Sequence, residues 1–174
     1  MLPFLFVSLS TAHADPVPER AAGSLRRFHH SETTPASPDA VWARWMDVEG
    51  WPAWDTELTE ATAEAPLALD VKGSLVSGGR TSTFTIVAFE APFHYAYAVP
   101  LPAGRLVVDR RLLPLDDGGT RFTHTVTLEG FGGWMLGPVL GRRFRAALPQ
   151  VMRSLATLAS DSTTDPGAGT AALP

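Results

Sequence analysis

The sequence predicts an α+β fold in which a curved antiparallel sheet of about seven strands wraps around a long C-terminal helix, with two short helices after the first strand. Three observations carry this prediction. Short alternating segments are separated by turn residues, a helix-start signal follows the first of them, and an apolar stripe at helical spacing lies near the chain end. At 174 residues and 45% hydrophobic content, the chain has room for one well-buried core.

The first strand and the first helix are predicted from adjacent signals. Residues 26–34 alternate and end in threonines, as strands do. Ser37-Pro38-Asp39 then offers an N-cap, a proline for the first turn and an acid, which together predict a helix over residues 38–46. Gly50 and Pro52 interrupt the pattern that follows, so residues 47–55 are interpreted as a broken second helix or a loop.

The remaining strands are predicted from alternation and from β-branched and aromatic residues. They cover residues 58–64, 70–76, 81–89, 93–100, 106–113 and 121–129. Glycine, proline and aspartate turns separate most of them, and such short connections favour an antiparallel meander. The last helix is expected to begin after Gly132-Gly133 and to end near residue 159. Its apolar face is formed by Leu140, Phe144, Leu148, Met152 and Leu155.

Composition excludes several classes of partner and chemistry. The formal charge of −4 and the pI near 5.7 leave no basic excess to neutralise phosphates, so we expect no nucleic-acid partner. The chain has no cysteine and therefore no thiolate nucleophile and no cysteine-ligated metal. His30 and Glu32 could share one strand face, but two ligands are too few for a metal site. No cofactor is predicted, and the oligomeric state is left open.

The two ends of the chain are interpreted separately from the domain. Residues 1–23 form a leader or a candidate signal peptide, because a short apolar run precedes an Ala12-x-Ala14 pattern. The run has no basic residue before it and is too short for a membrane span of about 20 residues. A cytoplasmic location is therefore slightly favoured over export, with no stable membrane insertion. Residues 161–174 are predicted to be a disordered tail.

The order of motifs resembles one superfamily. Ser37-Pro38-Asp39-Ala40-Val41-Trp42 looks like its first-helix opening, and the Trp-Pro-x-Trp run within residues 47–55 looks like its next segment. The hairpin at residues 118–124 and the Gly130-Phe131-Gly132 turn into the last helix complete the match. Residues 24–160 thus resemble the START-like superfamily, also called SRPBCC or Bet v 1-like. The resemblance implies a helix-grip fold with a cavity between the sheet and the C-terminal helix.

Alternation on the last strand predicts which side chains face that cavity. Phe122 and His124 share a face with other apolar residues, so His124 is either a satisfied core histidine or a polar contact for a ligand. The phase of the preceding strand depends on the loop length. A three-residue loop turns Arg110 inward beside His124, and a loop one residue longer or shorter turns Arg111 inward instead. We favour Arg110.

Aromatic residues supply most of the other candidates. Phe93, Tyr95 and Tyr97 are expected to face the interior from their strand, as are Phe84 and Ile86 from the strand before it. Trp45, Trp51 and Trp54 lie within ten residues of one another. We place Trp51 and Trp54 at the cavity entrance. From the last helix, Phe144 and Leu148 complete the predicted ligand-binding set.

Three functions remain open from the sequence. The favoured one is binding of a hydrophobic small molecule, such as a lipid, a polyketide or another ring-containing ligand, in the internal cavity. The second is a polyketide cyclase or dehydratase activity, with His124 and a cavity Arg or Tyr as acid and base. The third is a regulatory protein-interaction module. No residue is assigned as catalytic beyond the candidate His124.

Overall fold

The structure is a computed structural model that describes residues 27–161, with the backbone alone for residues 131–140. Seven strands form one antiparallel sheet, and a 32-residue helix follows the last strand. The elements are β1 (Arg27–Thr34), α1 (Pro38–Met46), a 3₁₀ turn (Trp51–Ala53), β2 (Glu60–Ala63), β3 (Lys72–Ser77), β4 (Arg80–Glu90), β5 (His94–Leu101), β6 (Gly104–Pro114), β7 (Thr120–Glu129) and α2 (Gly130–Asp161).

The strand order is β1-β7-β6-β5-β4-β3-β2, so the first strand pairs with the last. Every other neighbouring pair is joined directly along the chain, as a meander requires. The curved sheet packs one face against α2, and the predicted helix-grip architecture is confirmed. The expected leader, residues 1–23, and the expected tail, residues 161–174, lie outside the described residues except for Asp161.

The helix-start signal works as predicted. Oγ of Ser37 accepts a hydrogen bond from the backbone N–H of Ala40 at 3.3 Å, and α1 covers the expected residues. Val41 and Trp45 are buried beneath it. The expected second short helix is reduced to the single 3₁₀ turn Trp51–Ala53, with Pro52 in its first turn.

Most element boundaries differ from the prediction by a few residues. α2 begins at Gly130, earlier than Gly132-Gly133, since Gly130 takes a φ of +78° that turns the chain directly from strand into helix. β2 is shorter than residues 58–64. Phe93 was predicted to face the interior, and this is wrong. β5 starts one residue later, and Phe93 lies in the preceding turn with 49% of its surface exposed.

The last helix lies close to β1 at a glycine. A Cβ atom on Gly141 would lie 2.6 Å from Cζ of the buried Phe28 ring on β1. Phe28 also stacks on Phe144 of the same helix, with ring centroids 6.0 Å apart. Further along, Met152 and Leu155 are fully buried against the sheet, as the stripe predicts. The side chain of Leu140, predicted for the same stripe, is outside the described part.

Candidate functional site

A cavity of about 240 Å³ lies between the inner face of the sheet and α2. Its walls are mainly apolar and come from both layers. The lining consists of Asp55, Glu57, Leu58, Leu75, Ser77, Ser82, Tyr97, Val99, Leu106, Val108, Arg110, His124, Val126, Arg143, Phe144, Ala147, Leu148 and Val151. A largely apolar concave surface with a few polar groups is typical of small-molecule sites.

Alternation along β6 and β7 carries two polar side chains to this cavity. Arg110 and His124 are paired across the hairpin, and they are 1% and 2% exposed. The prediction that Arg110 points inward next to His124 is thus confirmed, and Arg111 is exposed on the other face. The connecting loop covers residues 115–119 and not only 117–119. Two extra residues preserve the phase, because alternation has a period of two.

The guanidinium of Arg110 lies in an aromatic cage. Its Cζ atom is 4.6 Å from the ring centroid of Trp51, 4.8 Å from that of Trp54, and 5.4 and 5.5 Å from those of Tyr97 and Tyr95. Nη1 donates a hydrogen bond to the hydroxyl of Tyr95. Cation–π contacts of about 2 kcal/mol each when desolvated offset part of the cost of burying this charge.

The cage depends on the segment that the sequence left undefined. The 3₁₀ turn brings Trp51 and Trp54 together, and Nε1 of Trp51 donates to the backbone carbonyl of Trp45 at 2.9 Å. Trp51 also stacks on Phe84 and Tyr97, with centroids 5.7 and 5.5 Å apart. These contacts hold the two indoles against Arg110 as fixed walls.

Electrostatics at the inner end favour a charged arginine and a neutral histidine. Burial disfavours the guanidinium charge, but Tyr95, Tyr97 and Asp55 together raise the pKa of Arg110 above its usual range. Burial lowers the pKa of His124 well below 6.5, and the charges of Arg110 and His30 lower it further. His124 is therefore neutral near pH 7. In the part of the chain that the structure describes, its Nε2 atom has no hydrogen-bond partner, and neither has Nε of Arg110.

One acidic side chain shares this end of the cavity. Burial raises the pKa of Asp55, while Arg110 and the backbone N–H of Glu57 oppose the rise. That N–H donates to Oδ1 of Asp55 at 3.2 Å. Asp55 is half-buried and lines the cavity, whereas Asp47 and Glu49 of the same segment are exposed.

An ion pair between the loop and α2 lies at the outer end. Nε of Arg143 donates to Oε2 of Glu57 at 2.6 Å, and both residues line the cavity. Their side chains are 58% and 37% exposed, so the cavity reaches the surface here. Within the described ranges, no group of three or more His, Cys, Asp or Glu side chains could hold a metal ion. The same residues include no helix long and apolar enough to cross a membrane.

Comparison with known families identifies the chain. Residues 26–160 match the model of the polyketide cyclase/dehydrase and lipid transport family. The chain belongs to this family. This membership confirms the predicted superfamily. It also supports the binding of a hydrophobic ligand. No curated protein is a significant match.

Solved structures share the fold at low sequence identity. The protein TTHA0849 from Thermus thermophilus has a TM-score of 0.63 at 16% identity, covering 79% of this chain and 99% of its own. A Rhodobacter sphaeroides protein has a TM-score of 0.63 at 20% identity, covering 82% and 97%. The protein Ara h 8.0201 has a TM-score of 0.59 at 15% identity, covering 76% and 96%. These likenesses extend over nearly the whole of each relative.

The predicted ligand-binding residues of this family member divide into two groups. Those that line the cavity are Tyr97, Arg110, His124, Phe144 and Leu148. The others are buried but do not line it: Trp45, Trp51, Trp54, Phe84, Ile86, Tyr95 and Phe122. Trp51 and Trp54 are at most 1% exposed, so their predicted place at the entrance is wrong. They contact the guanidinium of Arg110 in the interior and do not lie at the cavity entrance.

Val108 and Val126 share inward faces with Arg110 and His124, as the alternation of the two strands predicts. Sequence reasoning missed other lining residues. Ala147 and Val151 continue the helix stripe of Phe144 and Leu148, so extending that periodicity would have found them. The charged mouth residues had no such signal. Glu57 and Arg143 are far apart in sequence, and neither belongs to an apolar pattern.

Proposed function

We propose that this chain binds a hydrophobic small molecule in the cavity between its sheet and α2. The observation that carries the proposal is the cavity itself, with apolar walls from both layers and two unpartnered polar atoms at its inner end. Its volume of about 240 Å³ is somewhat below the range of roughly 300–1,000 Å³ for drug-sized ligands. The ligand is therefore of one or two rings, or a short acyl chain.

The test uses neutral ring compounds of increasing size. Benzene, naphthalene and anthracene are titrated into the purified protein, and affinity is followed by calorimetry and by the rise in melting temperature. We expect naphthalene to bind with the highest affinity, because it fills the volume without forcing the walls apart. Native mass spectrometry of the protein as purified would report a co-purifying molecule. If none of the three compounds binds or stabilises the protein, the proposal is wrong.

A second candidate function is proton transfer on a carbonyl compound, in keeping with the cyclase part of the family's name. Its supporting observation is that Asp55, Arg110 and His124 line one cavity. Neutral His124 or ionised Asp55 could accept a proton α to a carbonyl whose oxygen faces Arg110. The assay is deuterium exchange of the α-protons of β-tetralone in D₂O, followed by NMR. Exchange that is equally fast with His124→Ala and with Asp55→Asn would refute this activity.

The protein-interaction alternative has less support. It would be favoured by an interior filled with side chains, whereas this interior contains the cavity described above.

A further inference from the structure

We propose that the ligand carries a carboxylate, which binds Arg110 at the inner end of the cavity. This inference rests on the proposed function and specifies its ligand class. It begins from an imbalance of charge. Arg110 is 1% exposed and charged, yet no carboxylate of the described residues forms an ion pair with it within 4.0 Å. A buried guanidinium normally has such a partner.

The hydrogen-bonding capacity of Arg110 is also largely unused. Its guanidinium has five N–H donors, and its only hydrogen bond to the described residues is the one that Nη1 donates to Tyr95. Nε is buried without a partner among the described residues. The aromatic rings of the cage take up the charge over their faces, and apart from the Tyr95 hydroxyl they accept no hydrogen bond from the N–H edge. That edge is matched in geometry by a planar carboxylate, which accepts two parallel hydrogen bonds from arginine.

A second unpartnered polar atom belongs to the same end. Nε2 of His124 is buried and has no hydrogen-bond partner within residues 27–161, and His124 lies directly opposite Arg110 in the strand register. Both residues line the cavity. The ring is neutral, so the tautomer with a proton on Nε2 can donate to the same oxyanion. Two buried polar side chains that line one cavity thus each keep an unused polar atom, and a bound acceptor at this end would supply them with a partner.

The other charged groups around the cavity leave room for an anion. The Glu57 carboxylate forms its ion pair with Arg143 at the outer end and none with Arg110. Asp55 is the one lining carboxylate near Arg110 among the described residues, and it forms no ion pair with the guanidinium within 4.0 Å. The apolar lining side chains, such as Leu75, Val99 and Phe144, then contact the body of the ligand.

The experiment compares two ligands of the same shape and size. β-Naphthoic acid is anionic at pH 7.5, and β-naphthamide is its neutral counterpart. We expect wild-type protein to bind the acid on the order of 30-fold more tightly than the amide, the effect of hydrogen bonds to a charged group. Arg110→Gln should remove this preference by weakening acid binding, while amide binding changes little. Calorimetry at low salt measures all four affinities.

The matched control is Arg111→Gln. Arg111 is the next residue on β6, but it is exposed on the outer face, where it contacts Asp109. This variant should keep the full preference for the acid. The wild-type comparison needs no variant, so the proposal stays testable if Arg110→Gln does not fold. Equal affinity of wild type for acid and amide would overturn the anion proposal and leave the hydrophobic cavity standing. Failure of naphthalene, acid and amide alike would overturn both.

Discussion

Filling the cavity with a protein side chain should stabilise the fold and block the ligand. Ala147 lines the cavity from α2, so Ala147→Phe adds a phenyl ring to the space. Burying the ring contributes about 3 kcal/mol, and strain takes back about 1–2 kcal/mol, at the low end of the overpacking range because space is available. We therefore expect a net gain of about 1–2 kcal/mol.

The assay is urea unfolding together with naphthalene binding. The expected gain corresponds to a rise in melting temperature of roughly 2–8 °C, and naphthalene affinity should fall at least about tenfold. Ala146→Phe is the control, since Ala146 is exposed on the same helix and should change stability by only about 0.5 kcal/mol. A loss of more than about 2 kcal/mol in Ala147→Phe, with ligand binding intact, would refute the reasoning.

Three further predictions concern other parts of the site and its support. The pKa of His124 is lower in the folded than in the unfolded state, so the unfolded chain binds the extra proton below about pH 6.5 and stability falls as the solution is acidified. In His124→Gln, the free energy of unfolding should fall less steeply between pH 7 and 5, by up to about 1.4 kcal/mol per pH unit, as measured by urea unfolding. Identical pH slopes for the variant and the wild type would contradict this prediction. Gly141→Ala should destabilise by about 1–3 kcal/mol despite better helix propensity, because its Cβ would overlap Phe28; a stabilised variant would show that the helix can shift. Glu57→Gln breaks the exposed ion pair with Arg143, so stopped-flow measurements should show faster ligand association and dissociation. The free energy of unfolding should change by no more than about 1 kcal/mol. Unchanged rates would argue against ligand entry at this end of the cavity.

Periodicity made the inner end of the site predictable. Arg110 and His124 lie on strands whose alternation sets the buried face, and an error of two residues in the hairpin loop did not change that face. The helix stripe likewise placed Phe144 and Leu148 on the cavity. Wherever a period of two or of about four residues runs through a segment, side-chain direction follows from the sequence with little tertiary information.

The rest of the site lies where no period exists. Trp51, Trp54 and Asp55 belong to a proline-interrupted segment whose direction is set by tertiary contacts, chiefly the packing of both indoles on Arg110. A sequence can indicate that such residues are aromatic or acidic, but not which way the turn faces. The prediction that Phe93 faces the interior was wrong for a related reason. β5 starts one residue later than expected, so Phe93 lies outside the alternation on which its burial was predicted.

The central claim is that a ligand occupies the space between sheet and helix. Intermolecular nuclear Overhauser effects between bound naphthalene and assigned methyl groups test it most directly. We predict contacts to the methyl groups of Val108, Val126 and Leu148, which line the cavity. Contacts confined to exposed methyl groups, such as those of Leu69 and Leu113, would contradict the claim.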